Sequence, residues 1–313
     1  MNYFLIFLSN FCLLLTMGIG ILVACQSPPP DEIQLTSIIP SVATTTRSAK
    51  GQDAPPAFAW LPNGYLPTNA LHKRVAPPSG FQRAAVEGGG FGDWLRKLPL
   101  KTGKPPVLLY NGQQKDNQTA HEAVLDIDVG AANLQQCADA VMRLRAEYLF
   151  NKKKYNEIHF NFTSGQAAHY EQWKNGYRPV VNGNKVTWLK KAKLDNSYTS
   201  FKQYLNSVFN YCGTHSLSKE LKPVTDVGQI AVGDVFIHGG FPGHAVLVMD
   251  VAENPQTGEK LFLLAQSYMP AQQIHLLVNP NDNAISPWYR LKKTDKLLKT
   301  PEWTFQMSDL MRF

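Results

Sequence analysis

The chain of 313 residues is poor in the signatures that most often reveal a chemistry. It has no glycine-rich P-loop, no Gly-x-Ser-x-Gly, no His-Glu-x-x-His and no Cys-x-x-Cys. The usual sequence evidence for phosphate binding, serine hydrolysis, zinc peptidase or dithiol chemistry is therefore missing, and neither a cofactor nor a metal is expected. Charge is also sparse, at 18% of residues with a formal net charge of +7. The densest basic runs, Lys152-Lys153-Lys154 and Lys190-Lys191-Ala192-Lys193, are too short to argue for nucleic acid and read as solvated faces. A mildly basic surface suits an anionic cell-envelope partner. What remains is an ordinary globular composition, 44% hydrophobic, with length for one large domain or two small ones.

No charged residue occurs from Phe4 to Ala24, and no Lys or Arg occurs before Arg47. The apolar stretch ends in Leu22-Val23-Ala24-Cys25, which resembles the lipobox of bacterial lipoproteins. That resemblance implies removal of residues 1–25 as a signal segment, acylation of Cys25, and a chain held in the cell envelope. The absence of Asp beside the cysteine points to the outer membrane. An uncleaved single-span anchor is the alternative, because the stretch is just long enough to cross a bilayer. Residues 26–56 are rich in Pro, Ser and Thr and read as a tether. From residue 57 to 313 the pattern is that of one folded domain. Only four cysteines are present. Two fall at or before the lipobox, leaving Cys137 and Cys212 as a disulfide or as free thiols.

Within the domain, residues 123–129 (AVLDIDV) alternate as a half-buried strand. Asp126 and Asp128 share its wet face. Asn133 is the expected N-cap of a helix carrying Leu134, Cys137, Ala138, Val141, Leu144 and Tyr148 on one stripe. Cys137 then lies about one turn from the helix start. Core packing is one reading, and a thiol made acidic by the helix start is the other. A second helix is expected from Tyr198 to Tyr211, ending at Cys212-Gly213, with a short helix over SLSKEL. The chain then turns to strands: 233–237, 244–250, 261–267 and 273–278. The turn signals in VAENPQTGEK make the middle pair a hairpin. Pairing Asp250 with Leu261 sets His244 opposite Ser267, and a slip of one residue sets it opposite Gln266.

The run GDVFIHGGFPGHAVLVMDV followed by GEKLFLLAQS resembles the β half of papain-fold cell-wall cysteine peptidases and amidases. The resemblance implies an α+β, papain-like domain with helices packed on a small antiparallel sheet. It makes His244 a general base and Gln266 the group that orients it. The nucleophile is less direct, because the helix at 198 opens with Tyr-Thr-Ser-Phe and carries no cysteine there. Cys137 as nucleophile, a hydroxyl such as Ser200 in its stead, or an inactive fold are the three outcomes left open. Ser267, Tyr268 and Gln272 complete the expected cleft. A histidine after a glycine-rich turn that simply caps a strand edge is the structural alternative. Longer strings, GFGDWLRKLPL, QQCADAVMRLRAEYL, PGHAVLVMDVA and LAQSYMPAQ, resemble a bacterial domain of unknown function, number 4846, found mostly in envelope lipoproteins. That family carries no assigned reaction. The expectation is a lipid-anchored envelope protein whose cleft cleaves or transfers an amide or ester bond. Its rival is a non-catalytic module binding an envelope peptide, glycan or protein in the same cleft.

Overall fold

The computed structural model describes residues 58–313. The signal segment, Cys25 and the tether lie outside the described residues. The domain is mixed α+β, and its sheet is large rather than small, with nine antiparallel strands. In chain order these are β1 (Gln82–Arg83), β2 (His121–Val124), β3 (Lys222–Pro223), β4 (Val235–His238), β5 (His244–Glu253), β6 (Lys260–Gln266), β7 (His275–Leu277), β8 (Tyr289–Arg290) and β9 (Leu310–Arg312). Their order across the sheet is β2-β7-β6-β5-β4-β9-β3, with β1 added to β5 and β8 to β6. Short strands from distant parts of the chain supply the extra width. Such pieces leave almost no periodic trace in sequence, which is why a smaller sheet is what the pattern alone suggests.

Three helices bear on the site: α1 (Cys137–Asn151), α2 (Tyr198–Tyr211) and α3 (Thr214–Glu220). One face of the sheet, with Ala245, Leu247, Met249 and Leu263, joins Ala138, Val141 and Met142 of α1 and Phe201 and Tyr204 of α2 in one core. The other face, with Val246, Val248, Phe262 and Leu264, is covered by Leu298 and Phe305. Those two come from a hairpin formed by Leu297–Lys299 and Thr304–Gln306. β5 is thus buried on both faces, from His244 to Ala252. This explains a run that is continuously apolar where a half-wet strand would alternate. Asp250 stands inside it because two guanidiniums neutralise it: Arg83 Nε at 2.7 Å and Arg96 Nε at 2.6 Å.

Helix α2 spans the residues expected of it, opened by the Ser197 side chain accepting from the Ser200 N–H. Its stripe of Phe201, Tyr204, Leu205 and Val208 is buried, each side chain contributing about 1.5–3 kcal/mol. Three other expectations are corrected. Asn133 does not cap α1; its side chain accepts from the Ala271 N–H at 2.7 Å. The helix begins three residues later than expected, with Gln136 as N-cap and its N–H donating to Asp139 at 2.9 Å. Cys137 is therefore the first helical residue rather than one turn inside. The strand expected over 123–129 is regular only to Val124 and continues as a single bridge at Leu125.

The β5–β6 hairpin also runs in another register. Leu261 pairs Ala252 and Leu263 pairs Asp250; an irregularity at Leu263/Leu264 then sets Leu264 opposite Val248 and Ala265 opposite Leu247. Neither Ser267 nor Gln266 lies directly across from His244. Continuing the pairing, Gln266 falls opposite Val246, so His244 and Gln266 are diagonal neighbours on one face, within reach for long side chains.

Candidate functional site

The glycine-rich turn before His244 is shaped by close packing. A Cβ on Gly243 would meet Thr214 Oγ1 at 2.3 Å, Gly240 O at 2.6 Å and His238 O at 2.8 Å. One on Gly239 would meet Ser218 Oγ at 2.1 Å. The loop lies flat on α3, and Thr214 Oγ1 donates to Gly240 O at 3.2 Å. This contact fixes where β5 begins, and so where the imidazole stands.

His244 is 1% exposed. Its ring packs against Tyr268 edge-on (4.7 Å between centroids), Trp303 (5.4 Å) and Phe305 (5.7 Å). Nε2 and Gln266 Oε1 are 2.9 Å apart. Gln266 Nε2 donates to Glu302 Oε2 at 2.7 Å, which sets the amide with its oxygen towards His244. Nε2 of His244 is thereby the protonated nitrogen, and Nδ1 is the base. Burial holds the imidazole well below its ordinary range, at about 4, with the Gln266 hydrogen bond acting weakly in the other direction.

Cys137 opens α1 beside the start of β5. The N–H groups of Ala138 and Ala245 face its sulfur, so the thiol meets the strand one peptide bond beyond His244. No hydrogen bond joins the sulfur to the imidazole among the described residues. Of the two readings of Cys137, core packing and a thiol made acidic by the helix start, the second needs the helix start to outweigh burial. Burial wins instead, helped by the nearby Asp139 carboxyl, and pushes the thiol up to about 11. The resting site thus holds a thiol and a neutral imidazole. Cys212 caps the end of α2 and is also a free thiol, raised by burial. The alternative of a Cys137–Cys212 disulfide is set aside.

A cavity of about 390 Å³ opens at the start of α1. Its wall includes Cys137, Asp139, Cys212, Thr214, the Gly240–Gly243 loop and Met269. Phe241 and Met269 are exposed at its rim. Of the three expected cleft residues, Tyr268 lies against the imidazole. Ser267 and Gln272 are buried in the frame of the site: the Ser267 hydroxyl lies 2.9 Å from Gln135 O and 2.8 Å from Gln272 O, linking the segment before α1 to the turn after β6. Ser200 is buried on α2, 3.3 Å from Trp173 Nε1. Asp128 is held by Arg143 and Lys202 as an ion pair. No group of three metal-ligating side chains occurs among the described residues, and no described helix is long and apolar enough to cross a membrane.

Sequence reasoning did not reach Glu302, Lys115, His275 and Trp303. Lys115 Nζ pairs with Glu302 Oε1. His275 Nε2 lies 3.4 Å from Gln266 Nε2, while its Nδ1 donates to Gln273 O at 2.9 Å. The only sequence trace is the alternation of Trp303, just before the short 304–306 strand, with Phe305 inside it. Lys115 lies in a polar loop with no pattern at all. Among known proteins, no curated sequence and no solved structure matches the chain. One family model, described as a domain of unknown function (4846), matches residues 71–312. That match spans most of the chain, which belongs to this family.

Proposed function

We propose that the domain is a papain-like thiol hydrolase or transferase acting on amide or ester bonds in the cell envelope. Cys137 is its nucleophile, His244 its base and Gln266 the orienter of that base. The observation that carries this reading is the seat of the Cys137 sulfur: at the start of a 15-residue helix, against the Ala245 N–H, one peptide bond from the His244–Gln266 pair. Because thiol and imidazole are both neutral at rest, the proton leaves as the bond forms. Sulfur attacks the carbonyl carbon while His244 Nδ1 takes the thiol proton. The tetrahedral intermediate expels the amine or alcohol, which takes that proton back, leaving a thioester on Cys137. Water or an acceptor amine then releases the acyl group. The dipole of α1 favours the negative charge that develops at its N-terminus.

The test is acyl transfer from p-nitrophenyl acetate, read as a burst of nitrophenol and as an acetyl adduct located by mass spectrometry. One adduct on Cys137 is expected, formed about 10²–10⁴-fold more slowly in His244→Gln and absent in Cys137→Ala. An adduct elsewhere, or none in the parent, removes the proposal. A second reading is favoured by one observation, the neutral thiol with no hydrogen bond to the imidazole. In it the 390 Å³ cavity holds an envelope peptide, glycan or assembly partner without chemistry. The attachment to the outer membrane through a lipid on Cys25 is proposed from the lipobox alone. A shift of the Cys25→Ala chain from the membrane to the soluble fraction tests it.

A further inference from the structure

We infer that Glu302 and Lys115 are positioning residues that select the tautomer of His244 by fixing which way the Gln266 amide faces. The role of that tautomer in catalysis rests on the function proposed above, but the selection itself does not. The selection works through hydrogen-bond direction. A glutamine amide has an oxygen that only accepts and a nitrogen that donates, in nearly the same shape. A histidine beside it adopts whichever tautomer matches the atom it meets. Gln266 alone therefore cannot decide the matter, because either orientation fits one tautomer of His244.

The decision is made one residue further out. Glu302 Oε2 lies 2.7 Å from Gln266 Nε2, and a carboxylate can only accept there. Lys115 Nζ donates to the other oxygen of the same carboxylate and also to Asn117 O at 3.0 Å. Lys115 is 6% exposed, so its charge is held against Glu302 rather than in bulk water. His275 adds to the same bias. Its Nδ1 donates to Gln273 O, so Nε2 carries a lone pair that faces Gln266 Nε2. Both neighbours require the nitrogen of Gln266 on their side, which turns Oε1 to His244 and the proton to His244 Nε2. Nδ1 is then the free base. The device draws on two segments remote from the β5–β6 hairpin: the loop carrying Lys115, and the 297–306 hairpin, whose turn carries Glu302 and Trp303 and whose second strand carries Phe305.

The isosteric change Glu302→Gln gives a sharp test, because Lys115 still demands an oxygen. With that oxygen turned to Lys115, the new amide presents its NH₂ to Gln266. Gln266 then faces it with Oε1, since this short contact outweighs the long 3.4 Å one to His275, and offers its own NH₂ to His244, which favours the Nδ1–H tautomer. Removing the lysine as well, in Lys115→Met/Glu302→Gln, frees the amide at 302 to turn its oxygen back. The readout is the ¹⁵N spectrum of the imidazoles above pH 7. Protonated and bare ring nitrogens are resolved there, and His244 is identified by the signals lost in His244→Gln. The expected result is the Nε2–H form in the parent, conversion of most of the population to Nδ1–H in Glu302→Gln, and recovery of Nε2–H in the double variant. A merely structural role for the ion pair would change the melting temperature but leave the tautomer alone. The same tautomer in the parent and Glu302→Gln overturns the inference, as does an Nδ1–H form in the parent. No step depends on acylation of Cys137. A silent thiol with the expected tautomer pattern would remove the proposed function and leave this inference standing.

Discussion

His244 is expected to stay neutral far into the acid range, and this can be tested as a difference in stability. In the unfolded chain a histidine titrates near 6.5; in the fold, burial holds His244 at about 4. Between these values the unfolded state binds more protons than the native one, so the contribution of His244 is complete above pH 6.5. It is lost as pH falls towards 4. The gap corresponds to about 3 kcal/mol at its acid limit, of which about 2 kcal/mol is lost by pH 5. Total stability does not display this cleanly, because Asp139, at about 8, and Glu147 and Glu220, at about 7, are raised by burial and act in the opposite direction. The comparison is therefore subtractive. Urea unfolding of the parent and of His244→Gln is measured at pH 7.5 and pH 5. The parent should lose about 2 kcal/mol more than the variant over that interval. Lost ring packing costs the variant equally at both pH values and cancels. A difference near zero, or an imidazole that titrates at 6.5 or above by NMR, would refute the reasoning. A midpoint above 8 would mean a thiolate–imidazolium pair in place of the neutral one.

Three further outcomes follow from the same geometry. Cys137 should react with iodoacetamide about 100-fold more slowly than an unburied thiol near neutral pH, since raising a thiol from 9 to about 11 removes that factor of thiolate. Its rate should rise about tenfold per pH unit up to pH 10; rapid labelling at pH 7 would contradict the burial. Gly243→Ala should cost about 1–3 kcal/mol by overpacking against Thr214 and two backbone carbonyls, and burst amplitude at Cys137 should fall with it; a variant with parental melting and parental burst would mean the loop can yield. Asp250→Ala should cost about 3–5 kcal/mol, because Arg83 and Arg96 are left facing each other without a counter-charge. Thermal unfolding within 1 °C of the parent would exclude that role.

Much of the candidate site is legible in the residues themselves. His244 announces itself by standing at the junction of a glycine-rich turn and a continuous apolar run, and Gln266 by ending the next run. Helix α2 is readable at both ends because its cap, its apolar stripe and its terminating Cys-Gly are all local. Cys137 could be named but not judged: its type and neighbourhood fit both a core residue and a nucleophile, and its packing against Ala245 has no local trace. Pairing was harder. An irregularity at Leu263/Leu264 moves every partner towards the open end of the hairpin, and no residue pattern marks it.

The division between sequence and fold follows from the range of the forces involved. Helix stripes, turn residues and strand runs are short-range, so the chain alone determined the α+β class, the hairpin and the identity of the His–Gln pair. The sheet's nine strands, the seat of Cys137 and the protonation of the site depend on segments far apart in the chain. Burial between the helices and the 297–306 hairpin drives thiol and imidazole apart in pKa. Lys115 and Glu302, 187 residues apart, meet only through the fold. A desolvation cost and a long-range hydrogen bond have no local signature, and tertiary structure alone decided them.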